Sequence, residues 1–517
     1  MDFKTRIIRF IPHINRDPQN PLQSNCQAEL ASFLGIVLFF WMLGLFIHIK
    51  GAFYYPSPFC DEMYFFLSSR SFAEHNSFFA EELHSKRTLF WMPFGYPFLN
   101  GLIFKILGTN ILFMRHLSFV SITLAYFSLA YWSWFRYFRF GVVLLLGFFF
   151  ISNPWMLAAG LARMESIVMA CLTIGLVLGS FQKWMPAWFF VFSTVFFHPI
   201  GFSFLLCFFI FWQILSDEKR LSHFLLPGFL ALPIWVISNL GIHFDFYLWQ
   251  RDWAFQLAGK SNAVFLDLLF RWRSLIIIIS SLLISLFLYK RGKIYLLAWS
   301  ILCPLFYFFR IYGQGLTYGI YTSLGIFFLS FVVVELLFSV LKKNNRPRYF
   351  YAAVLFFILG ILLVSKVLQI PIFSDKAFSL KDYRTAPTYL TENELTTVRV
   401  KLDSICLSRN WKKIYISPEI IGAKLYFHGQ RYIQIVHNFE NTVPDGILCF
   451  TQSGDAFESD LAPTMSYFNV TKKQIISIQA GDFSKNWFLF PNQYKKLNPN
   501  RLDALKRCAD AGIVCPN

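Results

Sequence analysis

Between residues 30 and 368 the chain repeats one pattern: an apolar run of about 18 or more residues, then a short break that holds charges or a proline. A helix rises about 1.5 Å per residue, so a run of that length covers a hydrocarbon core of roughly 30 Å. In lipid the backbone must satisfy its own hydrogen bonds, and for isolated runs like these the helix is the form that does so. Composition agrees, since 56% hydrophobic against 15% charged residues leaves too little polar surface for a water-soluble chain of 517 residues.

The runs fall near 31–49, 111–135, 140–158, 163–181, 184–197, 199–215, 224–241, 273–289, 294–310, 316–341 and 349–368, about eleven spans. The stretch 94–107 is also apolar, but it is short and interrupted by Pro97, Gly101 and Lys105. It reads as a juxtamembrane or re-entrant piece. With the N-terminus in the cytoplasm, the short inner connections hold Arg136, Arg139, Lys183, Lys219, Arg220, Lys290, Arg291, Lys293, Lys342, Lys343, Arg346 and Arg348. The short outer ones hold only Arg163 and Arg310, the asymmetry expected when basic loops stay inside. Counting 94–107 as a span would place those basic loops outside.

The first run follows a polar segment with Lys4, Arg6, Arg9 and Arg16, and no small-residue cleavage site comes after it, so it reads as a retained anchor. The formal charge of +18 comes mostly from scattered basic residues between apolar runs, not from one soluble basic module, which argues against nucleic-acid binding.

The expected fold is thus a multi-span α-helical membrane protein, N-terminus in and C-terminus out, with a small C-terminal soluble α/β domain. Residues 1–30 form a cytoplasmic segment, 31–370 the membrane domain with external loops 50–93 and 242–272, and 371–517 the tail outside the cytoplasm. In the tail, β-like runs at 413–417, 433–436 and 447–451 alternate with a helix-like piece at 419–428. Cys406, Cys449, Cys508 and Cys515 lie there; an oxidising compartment permits one or two disulfides, and free thiols are the equal alternative.

Polar residues at one end of membrane helices are costly to keep near lipid, which makes them candidates for a site. The first external loop carries Cys60-Asp61-Glu62-Met63-Tyr64 and runs into an amphipathic stretch, 63–73, expected along the membrane surface. Adjacent carboxylates there offer one group to accept a proton from an attacking hydroxyl and another to orient it or a metal. The plainer reading makes Asp61 an N-cap and Glu62 a dipole partner.

Arg163-Met164-Glu165 opens a later span on the same side; residues two apart point about 200° away from each other, so both face one cavity only if the helix begins between them. His198-Pro199 divides 184–215 on the outer side, and His198 is either a ligand for phosphate or metal or a hydrogen-bonded turn residue. The loop 242–272 supplies Tyr247, Trp249, Arg251, Trp253 and Lys260, and the last outer turn Arg310 and Tyr312. Aromatic faces suit sugar rings and cations suit a lipid phosphate; singly, each also fits an interfacial belt. No Gly-rich phosphate loop, zinc-binding HExxH or paired CxxC occurs, and a divalent metal is left open.

Asp61-Glu62 after the first span, Pro93-Phe94-Gly95-Tyr96-Pro97 before Lys105-Ile106-Leu107-Gly108, Arg115 opening the next span, then Arg163-Met164-Glu165 and His198-Pro199 form an ordered set. In that order the chain resembles the GT-C superfamily of membrane glycosyltransferases, in the branch with protein O-mannosyltransferases and aminoarabinose lipid A transferases. The resemblance covers about residues 30–370 and rests on the order of the motifs more than on any one of them.

It implies a hexosyltransferase that moves a monosaccharide from a polyprenyl-phosphate donor to a hydroxyl of a glycan, lipid or protein acceptor, with inversion. Asp61 would be the general base, Glu62 its neighbour, and Arg163, Glu165 and His198 cavity residues. Arg251, Lys260, Arg310 and Tyr312 are added as donor contacts from charge and position alone. A bacterial inner membrane fits such a donor, although an endoplasmic-reticulum enzyme would share the topology. The rival from another class is a transporter or flippase of lipid-linked glycans; the charges at outer span ends, not mid-membrane, count against it.

Overall fold

The computed structural model describes residues 23–54, 60–80, 93–137, 140–236, 247, 250, 272–312, 319–343, 392–412, 414–416, 432–434, 446–451, 476–479 and 486–491. The expected span at 349–368, the expected tail helix at 419–428 and nearly all of the loop 242–272 lie outside the described residues.

The described chain is mostly helical. Its helices are α1 (Gln23–Tyr54), α2 (Cys60–His75), α3 (Gly95–Leu107), α4 (Ile111–Tyr137), α5 (Phe140–Phe150), α6 (Asn153–Gly160), α7 (Glu165–Ser180), α8 (Trp184–Phe197), α9 (Gly201–Leu215), α10 (Ser222–Val236), α11 (Trp272–Lys290), α12 (Ile294–Tyr312), α13 (Gly319–Lys343) and α14 (Glu392–Ser408). Among the described residues, three segments are long and apolar enough to cross a membrane: Glu29–Ile49, Ile111–Phe135 and Gly319–Leu336. Others are shorter. The 14 residues of α8 rise only about 21 Å, less than the roughly 30 Å core.

The solvent these helices suit is visible in which side chains they expose. α11 turns Ile279, Leu283 and Leu286 outward, while Ser281 and Ser285 are buried. Ser285 lies 2.8 Å from Ser300 of α12, a polar contact between closely packed helices. Apolar side chains outward and hydroxyls inward is the reverse of a soluble bundle and marks an integral membrane protein. Inside, Trp132 of α4 packs on Trp299 of α12 (centroids 4.6 Å) and Phe331 of α13 (4.8 Å).

Pro154 changes one expected span. The stretch 140–158 is not one helix: α5 ends at Phe150, α6 restarts at Asn153, and the two are bent by 48°. A proline at 154 has no N–H to donate, and its ring would clash with the carbonyl four residues back, so the first helix stops and Pro154 enters a new first turn. His198-Pro199 likewise separates α8 from α9.

Two turns next to basic residues share a geometry. Gln182 (φ 61°) follows α7 and Gly292 (φ 63°) follows α11. The amide of Lys183 reaches back to the Leu178 carbonyl, 3.0 Å, and that of Lys293 to Leu288, 2.9 Å. Each is a left-handed helix stop that pays off orphan carbonyls before the next helix begins.

α2 and α3 pack on each other, and α3 reaches both α4 and α8. At that junction a Cβ on Gly95 would collide with the backbone carbonyl of Phe196, so the N-terminus of α3 sits against the end of α8 only because residue 95 has no side chain.

In the tail, β1 (Ile414–Ile416), β2 (Tyr432–Gln434), β3 (Gly446–Thr451), β4 (Ile476–Gln479) and β5 (Asn486–Pro491) form a mixed sheet of order β2-β1-β3-β5-β4. β1 is parallel to β2 and β3, whereas β5 is antiparallel to β3 and β4. Cys406 on α14 is buried.

Gly95→Ala is expected to cost about 1–3 kcal/mol through overpacking at the α3–α8 junction. Thermal unfolding of the detergent-solubilised protein checks this, with Gly35→Ala, where a Cβ meets nothing within 4 Å, as the control.

Candidate functional site

The first turn of α2 contains the adjacent acidic residues Asp61 and Glu62. Glu62 is fully buried, and its partner is Arg115, one turn into α4 and equally buried. Arg115 Nε donates to Glu62 Oε1 at 3.1 Å and Nη2 to Oε2 at 2.9 Å, a bidentate fork. The backbone amide of Ala162, between α6 and α7, donates to the same Oε1 at 2.5 Å. One carboxylate thus joins three elements that are distant in sequence. The Asp61 side chain lies outside the described residues, and its backbone belongs to the same first turn.

A second buried pair lies beside the first. α7 begins at Glu165, so Arg163 is in the turn before it and the helical 200° separation does not apply. Arg163 Nη2 donates to Glu165 Oε1 at 2.7 Å, and Nε reaches Oε2 at 3.1 Å. Glu165 also occupies the helix N-terminus, where the dipole favours an anion.

Neutral groups join the two pairs. The carbonyl of Arg163 accepts from Ser118 of α4 at 3.4 Å and from Ser166 at 3.0 Å. Ser118 is 3.4 Å from the Tyr96 hydroxyl of α3, and Tyr321 of α13 donates to the Glu165 carbonyl at 3.4 Å. Burial pushes the Tyr96 phenol further up from its ordinary value, so it serves as a neutral hydrogen-bonding group.

The expected residues therefore fall into groups. Glu62, Arg163 and Glu165 meet in one network. His198 is buried, and its Nδ1 accepts from the amide of Ile200 at 2.9 Å, which bends the chain from α8 into α9. Arg251 and Lys260 lie outside the described residues, as do the side chains of Arg310 and Tyr312, whose backbones end α12. The surface stretch 63–73 is helical, but Phe65, Phe66, Leu67, Ser68, Ser69 and Ser71 are all buried, so burial runs around the helix instead of along one face, while Arg70 stays partly open and pairs weakly with Glu74 at 4.0 Å. Among the described residues, no three His, Cys, Asp or Glu side chains gather closely enough to hold a metal ion.

Sequence reading gave Arg115 only as the opener of a span and passed over Tyr96, Ser118 and Tyr321 as members of the site. Arg115 had a signal, since it is the only charge in an apolar run from 111 to 135. Tyr96 lies in the Pro93-to-Pro97 motif, whereas Ser118 and Tyr321 carry no such signal.

Arg115→Met leaves the buried Glu62 charge without its cation and is expected to destabilise the protein by about 3–5 kcal/mol. Adding Glu62→Leu is expected to recover most of that loss in the same thermal-unfolding measurement.

No family model matches the chain, and no curated protein does. Two solved structures are similar to it. The crystal structure of ArnT from Cupriavidus metallidurans in the apo state has a TM-score of 0.43 at 13% identity, covering 90% of this chain and 98% of that one. The structure of the same ArnT bound to undecaprenyl phosphate has a TM-score of 0.39 at 12% identity, covering 91% and 99%.

Proposed function

We propose that this chain is a glycosyltransferase that moves a monosaccharide from a polyprenyl-phosphate donor to an acceptor hydroxyl on the outer side of a bacterial inner membrane. The observation that carries the reading is the commitment of Glu62. Both of its oxygens are occupied by Arg115, and one also by the Ala162 amide. Of the acidic pair, Asp61 is then the carboxylate assigned to proton transfer, fixed in sequence one residue before a fully anchored neighbour.

The chemistry is a single displacement. The Asp61 carboxylate takes the proton of the acceptor hydroxyl, the oxygen attacks the anomeric carbon, and the bond from that carbon to the phosphate oxygen breaks. The polyprenyl phosphate leaves with the electron pair and already holds the negative charge well, so no general acid is required. Attack opposite the leaving group inverts the anomeric centre. Arg163, Glu165 and His198 would border the sugar, with Arg251, Lys260, Arg310 and Tyr312 serving the phosphate.

In this reading the chain has about eleven spans, the N-terminus inside and the tail sheet outside. The tail would stand on the side where the acceptor is met.

The test is transfer of radiolabelled sugar from a panel of synthetic polyprenyl-phosphate monosaccharides by membranes holding either the wild-type chain or Asp61→Asn at matched abundance. Loss of about 10²–10⁴-fold in the variant is expected for removal of a general base. Full activity in the variant would remove Asp61 from that role. No transfer by the wild type across the panel would move the protein to the transport class, to be followed by a lipid-translocation assay.

A further inference from the structure

The outer end of α1 meets the start of α4 through two imidazoles. His48 Nε2 lies 3.0 Å from His116 Nδ1, and the His48 ring stacks on Phe119 at 4.5 Å with planes 18° apart. His48 is buried and His116 exposed. Among the described residues, His48 Nδ1 has no hydrogen-bond partner. A buried N–H without a partner is rarer than a buried lone pair, so the network assigns the His48 proton to Nε2 and makes His116 Nδ1 the acceptor.

His116 follows Arg115 directly. Successive residues on a helix project about 100° apart, so one faces α1 while the other faces α2. A rotation of α4 that parted His116 from His48 would swing Arg115 away from Glu62 through the same angle. Farther along the seam, the Tyr126 hydroxyl donates to the Val37 carbonyl at 3.1 Å and Phe127 meets Trp41, so the histidine pair fixes the outer end of an interface already held below it.

We infer that His48 and His116 are positioning residues for sugar transfer: they set the rotation of α4 that lets Arg115 hold Glu62, and so place the first turn of α2 that carries Asp61. The functional half of this inference rests on Asp61 being the base; the structural half does not.

The experiment combines kinetics with amide hydrogen exchange on the full chain in detergent, comparing wild type, His116→Phe and His116→Asn. Phenylalanine keeps a ring but removes the acceptor, whereas the asparagine amide oxygen sits near the place of Nδ1. His116→Phe is expected to lower kcat by about tenfold or more, because reacting groups are misplaced. Donor KM should stay within about twofold, since donor contacts are untouched. Exchange over residues 60–66 should quicken, and His116→Asn should restore both readouts. Unchanged exchange over 60–66 in His116→Phe, or failure of His116→Asn to restore it, would overturn the inference. If His116→Phe does not accumulate folded, His48→Leu removes the donor instead and is judged by the same readouts. Should the wild type transfer no sugar, the functional reading fails while exchange still decides the positioning claim.

Discussion

The bond between Glu62 and Arg115 sets the terms for the end of the helical bundle where α2, α4 and the turn before α7 meet. Two full charges removed from water cost several kcal/mol each, and only close, well-directed contacts offset that cost. Here the fork is bidentate, and a third donor, the Ala162 amide, occupies the carboxylate as well. Because the partners come from α2, α4 and the turn between α6 and α7, satisfying one carboxylate fixes three segments relative to one another. The first turn of α2, with Asp61 in it, inherits its place from that geometry.

The breaks in the helices serve the same end of the molecule. Pro154 stops α5 and begins a short new helix, after which the chain turns at Ala162 and Arg163 before α7 starts. Pro199 stops α8, and His198 caps the turn through its own ring nitrogen. Lipid cannot satisfy free backbone groups, so such turns persist only where protein donors and acceptors close them, as Glu62 and Ser118 do for residues 162 and 163. The polar residues required to close the turns are then concentrated around the Glu62–Arg115 and Arg163–Glu165 pairs.

Much of the fold was legible because its signals are local. Apolar runs and prolines place α4 and α13 within a few residues, whereas α1 extends about eight residues before and five beyond the expected 31–49, and the starts of α8 and α9 follow from Lys183 and His198-Pro199. The tail strands at 414–416 and 446–451 also emerge from alternation and branched residues, while β4 and β5 were not expected and the sheet order depends on pairings far apart in sequence. The site was less legible. Arg163 and Glu165 could be reconciled only by knowing where α7 begins, a matter of one residue. Only the family resemblance separated Asp61 from Glu62 in sequence, and the partner that commits Glu62 lies 53 positions away. The contact of His48 with His116 has no sequence signal, since each is a lone histidine in a different apolar helix.

The chemistry assigned to Asp61 makes one demand that a nucleophilic carboxylate would not share. A single base and a single displacement must invert the sugar, whereas a carboxylate acting as nucleophile would retain its configuration through two displacements. The measurement is the anomeric configuration of the product, read by NMR from the anomeric proton after transfer by the wild-type protein from a polyprenyl-phosphate donor of known configuration. An inverted product is the predicted result. A product with retained configuration would contradict the role given to Asp61 and to the clamp that places it.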